Sequence, residues 1–518
     1  MEKKILFKIA PPIWPILPFE ISIIKEYQKK NKIVIWACSG NKNIIKFCHA
    51  NPKMNGIICM ACKSKFNNAM RYIDKKNIDI FYDYLEENKN IKEIRTKKKI
   101  DDYFYNTIDI GKGVLSTLYS YLKYNLNLNK KFDFNLAKIL IKESIRVFET
   151  YKYLLKRFRI DKIYVFNGRH YNYRPIIRYS KLNNLECYSY DFSNYANRIL
   201  FFKNEYAHNL SVRAQFLKKM YELKKNKNCN QKIKNFFIKR FNEQNNNILN
   251  LNYNINQQEL LPKNFNLTNF NIVYFNTSPW EFKAIQENEK LQIFSDEFSF
   301  LTYINKSFTK YPKIKIYYRC HPNLMKEKEY LNYIKKKIKN LQNVYFIEPA
   351  SKIGSVNLIK NSNLVINYGS TVALEAAYLG KKVITLAPSI FLHFPFQTFV
   401  NSKKQLIKLI HKYYYLFKNK KIKFDYNANL FAQKAALALI HEGKKFDNVI
   451  VRDRFTQKIK IKNKFIMLRP NIFINFVYIF FSLLRISYSL LALLIFDFSQ
   501  FMYIFKNYLN RFFKYFKQ

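Results

Sequence analysis

Arg319-Cys320-His321-Pro322-Asn323 follows the apolar run KIKIYY, and Gly369-Ser370-Thr371 follows LVINY. Each cluster stands where a strand should end. A guanidinium, an imidazole, a glycine and two hydroxyls form a phosphate-binding set. The arginine can grip an anion bidentately, and the glycine lets backbone N–H groups approach it where a helix begins. His321 can hydrogen-bond a phosphate, or protonate it as a cation near pH 7. Glu375 lies one turn into the helix that Thr371 opens. It can accept from a ribose hydroxyl, or face the helix dipole as any first-turn carboxylate does. Ser370 and Thr371 also suit an ordinary helix cap. Two phosphate-seeking strand ends within one α/β unit point to a nucleotide or nucleotide-sugar site.

The elements that must carry these groups are legible from periodicity. KILFKI, KIVIWAC, DKIYVFNGR and LECYSYDF read as strands, with helical patterns near Glu20–Lys30 and Arg174–Asn183 and a helical insertion over about 101–158. NIVYFNTS, KIKIYYR, NVYFIEP, LVINYGST and KKVITLAP read as a second set of strands with helices between most pairs. Parallel strands joined by helices bind ligands at their carboxyl edge. All the polar motifs lie at such edges. In the first half they are Asn167, Arg169, His170 and, closing ECYSYD, Asp191. In the second they include Ser278 and Glu281 of FNTSPWE. The expected division is 1–260, 265–450 and a tail over 451–518, the Asn-, Gln- and Lys-rich stretch 225–268 marking the first boundary.

FNGR with Arg174-Pro175, FNTSPWE, YYRCHPN and FIEPASKIGSVNLIKNSNLVINYGSTVALEAAYLG together resemble bacterial surface-polysaccharide (capsule or lipopolysaccharide) biosynthesis glycosyltransferases of the GT-B fold. The resemblance spans roughly residues 1–400 and is stronger in the second half. The His-Pro pair followed by a Ser/Thr pair is also similar to bacterial sialyltransferases, 3-deoxy-octulosonate transferases and teichoic-acid polymerases. The resemblance implies two Rossmann-like parallel-sheet domains facing a cleft, with no catalytic metal. The donor phosphate would be held by Arg319, His321, Gly369, Ser370 and Thr371, with Ser278 and Glu375 touching phosphate, base or ribose. Asn167, Arg169 and His170 would face the acceptor. Asp191, or alternatively Glu281, would be the base, Asp191 being preferred because the N-terminal half normally presents it. The chain departs from the family's pattern in having Asp191 where a glutamate is expected and Asn276-Thr277-Ser278 where a Ser-Ser pair and acidic residues are common. A nucleotide-sugar 2-epimerase on the same fold, and a non-catalytic membrane scaffold, are the rival readings.

Four of the seven cysteines, Cys38, Cys48, Cys59 and Cys62, cluster in the first domain, and Cys59 and Cys62 have zinc-knuckle spacing. They suit a structural zinc, or a set of buried thiols. Residues 451–518 hold twelve Lys or Arg and two Asp around an intensely apolar run, Asn471–Phe505. A narrow polar stripe there favours a helix lying in a membrane interface with its cations on anionic headgroups. A tilted span and a core helix are the alternatives. The expected place is the cytoplasmic face of a bacterial inner membrane, where a lipid-linked acceptor is built.

The formal net charge is +54, from 90 Lys and Arg against 36 Asp and Glu. Lysines are spread along the chain rather than gathered in a stripe interleaved with aromatics, which disfavours a nucleic-acid partner. Abundant Lys, Asn, Ile, Phe and Tyr with scarce Gly and Pro is what an AT-rich coding sequence yields. Apolar residues are 48% of the chain, which excludes a disordered protein. The proline-broken N-terminal run MEKKILFKIAPPIWPILPF lacks a small-residue cleavage site, so the chain reads as not exported.

Overall fold

The structure is a computed structural model. It describes residues 3–470 apart from 42, 84–99, 194, 196, 225–229, 242–257, 286–292, 452–456 and 462–463. The first sheet holds β1 (Lys4–Lys8), β2 (Lys32–Ala37), β3 (Ile78–Tyr82), β4 (Lys162–Phe166), β5 (Glu186–Phe192) and β6 (Arg198–Lys203). The second holds β7 (Phe270–Phe275), β8 (Ile314–Arg319), β9 (Val344–Ile347), β10 (Leu364–Asn367), β11 (Lys382–Thr385) and β12 (Thr398–Phe399). Four short strands follow: β13 (Lys444–Lys445), β14 (Val449–Val451), β15 (Gln457–Ile461) and β16 (Lys464–Met467). Strand order is β13-β6-β5-β4-β1-β2-β3 in the first sheet and β12-β11-β10-β7-β8-β9 in the second. The second sheet is parallel throughout. The first is parallel from β5 to β3. Its β6 runs antiparallel to β5, and β13 antiparallel to β6. Five residues join β5 to β6, enough for a hairpin but too few for a parallel crossover.

The chain is therefore α/β, two Rossmann-like parallel-sheet domains in the GT-B arrangement. Central strands are apolar on both faces because helices cover both; every residue of β7 is buried. In each sheet the chain lays strands to one side of a first strand and then returns to its other side. The reversal falls between β1 and β4 in the first sheet and between β7 and β10 in the second. A crevice opens at the carboxyl ends of such a pair.

The division between domains differs from the sequence reading. The helix Leu210–Lys224 packs on both sheets, with Phe216 against Phe202 of β6 and Leu217 in the core of the second, and Asn230–Phe241 packs on the second, where Ile233, Phe236 and Phe237 join that core. Phe237 stacks on Tyr378 with centroids 3.6 Å apart. The crossing thus falls along the helix Leu210–Lys224, ahead of 250–268. The chain returns after the helix Tyr426–His441. There β13 extends the first sheet, and Phe446, Val449, Val451, Ile459 and Leu468 enter its core. The expectation of a helical tail from 451 is corrected for its described part: β14, β15 and β16 form an antiparallel sheet. Alternation in QKIKI sets Ile459 inward, which a strand satisfies and a helix would not. Asn471–Phe505 lies outside the described residues. Among the described residues, no helix is long and apolar enough to cross a membrane.

Candidate functional site

One buried amide braces the edge beside the crevice between β7 and β10. Asn276 Nδ2 donates to Tyr318 Oη at 2.8 Å and to Glu297 Oε1 at 3.2 Å. Its Oδ1 accepts the His321 N–H at 2.7 Å, so the ends of β7 and β8 are tied together. His321 Nδ1 accepts the Asn323 N–H at 3.1 Å. Burial and then the Arg319 charge lower the imidazole pKa to about 4. The ring is neutral at pH 7, and the Asn323 bond assigns its proton to Nε2. Of the two roles read from the sequence, the neutral ring suits the first, offering an N–H to a phosphate. Arg319 is 2% exposed and donates to the Glu348 carbonyl, so it lies beneath the edge rather than open to a bidentate ligand.

Gly369 has φ +70, and a Cβ there would meet Pro388 O at 2.6 Å and Phe282 Cζ at 2.7 Å. Only glycine lets the β10 turn press against the residues that follow β11 and β7. The Ser370 N–H donates to Asn367 Oδ1 at 2.9 Å, and Ser370 Oγ accepts the Val372 N–H at 3.3 Å. The helix Val372–Tyr378 follows, with Thr371 exposed at its start. Glu375 is not turned over to a ribose in this structure: Arg240 Nε donates to it at 2.6 Å, from the helix that crossed over. Ser278 is fully buried ahead of the short helix Pro279–Lys283.

On the facing edge, Asn167 (φ +63) and Gly168 (φ +88) turn the chain out of β4. Asn167 Nδ2 donates to Asp191 Oδ2 at 2.9 Å, and the Phe192 N–H to Oδ1 at 2.8 Å. Burial raises Asp191 to about 6, against the pull of these bonds and of Arg213 and Arg169. Sequence reasoning missed His208, whose Nδ1 stands 3.5 Å from Asp191 Oδ2. The available signal was a rare histidine, one of seven, just past a strand that was itself overlooked. His170, expected on the acceptor side, is 5% exposed and packs its ring 4.6 Å from that of His49. It supports the edge from below.

The two edges meet. The helix Ile110–Leu122 packs on Pro279–Lys283. Lys123 bridges to Glu327 at 2.8 Å and sits 5.6 Å from the Trp280 ring centroid. Glu281 is open to solvent, yet enclosed enough that desolvation raises its pKa, with Arg169 across the cleft opposing. Glu281 lies within electrostatic reach of Arg169 on the other edge. Asp191, Arg169 and His208 thus share one cleft with Glu281, Asn323 and His321.

The cysteines do not form a ligand set: among the described residues no three of His, Cys, Asp and Glu are placed to hold a metal. Burial pushes the Cys48 and Cys62 thiols up to about 12. The Cys59 sulfur accepts from Asn51 Nδ2 at 3.2 Å, and Cys38 is exposed. The four thiols lie close enough to one another that each of Cys38, Cys48 and Cys62 has its pKa raised by another of the set, after burial.

No protein-family model matches the chain, and no curated protein matches it. Solved structures do. A UDP-GlcNAc 2-epimerase of Neisseria meningitidis bound to UDP-GlcNAc is 11% identical, covering 84% of this chain and 97% of that one, with a TM-score of 0.27. The β-Kdo 2,4-transferase KpsC of Thermosulfurimonas dismutans is 10% identical, covering 61% and 85%, with a TM-score of 0.32. HepE of Anabaena in complex with UDP-glucose is 12% identical, covering 84% and 97%, with a TM-score of 0.27. At such scores none of these likenesses bears on what this chain does.

Proposed function

We propose that the protein is a GT-B glycosyltransferase that moves a sugar from a nucleotide-activated donor to a hydroxyl of a growing bacterial surface polysaccharide. The observation that carries the reading is the convergence of two strand edges with complementary chemistry on one cleft. The first edge presents Asp191, a carboxylate poised near pH 6 and fixed by Asn167. The second presents a glycine-serine turn and a neutral imidazole. In the reaction, Asp191 takes the proton of the acceptor hydroxyl as its oxygen bonds to the sugar's anomeric carbon. The bond from that carbon to phosphate breaks, and the phosphate leaves with the electron pair. The backbone N–H groups of Gly369 and Thr371, the Ser370 and Thr371 hydroxyls and the ring Nε2–H of His321 stabilise the departing charge. Glu281, facing Arg169, is the alternative base. The basic, apolar run beyond residue 470 would hold the enzyme at the cytoplasmic face of the inner membrane, beside a lipid-linked acceptor.

The test is nucleotide release from CMP-, CDP-, GDP- and UDP-sugars, with and without a lipid-linked glycan acceptor. Release that depends on acceptor, and that falls by about 10² or more in Asp191→Asn, is the expected result. Acceptor-free conversion of the donor sugar would replace this reading with the 2-epimerase type. No turnover of any donor would leave the scaffold reading.

A further inference from the structure

Arg169 carries a charge that its surroundings balance incompletely. Among the described residues its guanidinium donates only to Ser116 Oγ, at 3.1 Å, and its Nε is buried without a hydrogen-bond partner. Neighbouring arginines have partners of their own: Arg174 pairs with Asp109 at 2.7 Å and Arg213 with Glu442 at 3.2 Å. Asp191 on the same sheet and Glu281 on the facing one attract Arg169. Burial nevertheless outweighs them and lowers the guanidinium to about 10. Its charge also helps to push His49, His170 and His208 below the ordinary histidine range, chiefly a burial effect. The first wall of the cleft therefore holds one cation that its carboxylates do not satisfy, among imidazoles kept neutral around it.

Such a place favours an incoming anion. A guanidinium taken from water regains the lost stabilisation when a negative group arrives, and its planar fork matches carboxylate and phosphate. The donor's own phosphates belong to the opposite wall, at Gly369–Thr371 and His321. The anion for Arg169 is then a second one, on the sugars.

Resting on the transferase reading, we propose that Arg169 is a specificity-determining residue that receives the carboxylate or phosphate of an acidic sugar unit. Neutral sugars would leave its charge unanswered. This gives the enzyme a way to reject them, because an unmatched buried group penalises the wrong ligand more than a matched one rewards the right one.

The test uses the full chain with three probes: glucuronate, glucose 6-phosphate and glucose. Affinities are measured by calorimetry for the natural protein, Arg169→Lys and Arg169→Gln, with thermal melting to confirm folding. The acidic probes should bind more tightly than glucose. Arg169→Gln should weaken them by about tenfold or more and leave glucose unchanged, while Arg169→Lys retains part of the affinity. The preferred acidic probe says whether a carboxylate or a phosphate is the group received. Histidine titration by NMR gives a second readout. Removing the charge should raise the pKa of His49, His170 and His208, whose other charged neighbours are Asp191 and Arg213. Three outcomes overturn the proposal: no binding by either acidic probe, equal binding of all three, or acidic-probe affinity within about twofold in Arg169→Gln. Nucleotide binding is followed in the same samples. Its absence from the natural protein would remove the transferase reading and leave the anion site to stand or fall by the probes.

Discussion

At the scale of single residues, Asp191 and His321 are assigned complementary roles by their surroundings. Both are enclosed, and enclosure raises the acid and lowers the base, so each is driven towards its neutral form. Asp191 stops near 6 because Asn167, the Phe192 N–H and two arginines favour its charge. A base must be unprotonated, so activity present at pH 7.5 should decline below about pH 6, approaching tenfold per unit. In Asp191→Asn the residual rate should lose that acid limb, and a pH–rate profile of both proteins reads it. His321, at about 4, contributes no limb in this range. The motif residues were legible because strand ends announce themselves as a polar cluster after an apolar run. What the sequence did not carry was burial. His170 and Arg319 stand in the right segments but lie beneath the edge, and Glu375 is taken by an arginine 135 residues away.

At the scale of elements, the parallel strands were readable because continuous apolar runs such as FNIVYF have few alternatives. The strands β15 and β16 were not, since lysine-rich alternation over four or five residues is weak in isolation and gains meaning only against its partner, and the two lysines of β13 carry no pattern at all. The helix Asn230–Phe241 sits in the polar stretch that marks the expected boundary, since only Ile233, Phe236 and Phe237 are buried within it. Tight turns are the elements on which the site depends most. Gly369→Ala puts a Cβ against Pro388 O and Phe282 at positive φ, whereas Gly56→Ala meets nothing within 4 Å. Urea unfolding should show Gly369→Ala destabilised by roughly 1–3 kcal/mol and Gly56→Ala unharmed. The former should also bind nucleotide more weakly, because the turn that presents Ser370 would be displaced.

At the scale of the whole molecule, the chain crosses between its two sheets twice. The helices of residues 210–241 go over to the second, and residues 444–470 come back to the first. Glu442 is clasped at the return, accepting from Ser193 Oγ at 3.0 Å and Arg213 at 3.2 Å. Such double exchange lets each domain anchor part of the other's chain while the cleft between them stays open to ligands. It also explains why one boundary was misplaced: composition marks where a chain is polar, not which core receives its few apolar residues. The central claim is that the second sheet's edge holds a nucleotide. Calorimetry of the full chain with CMP, CDP, GDP and UDP, repeated on Ser370→Ala, tests it most directly. Saturable binding of at least one nucleotide, weakened about tenfold by the substitution, is the predicted result. Binding of none by the natural protein would contradict it.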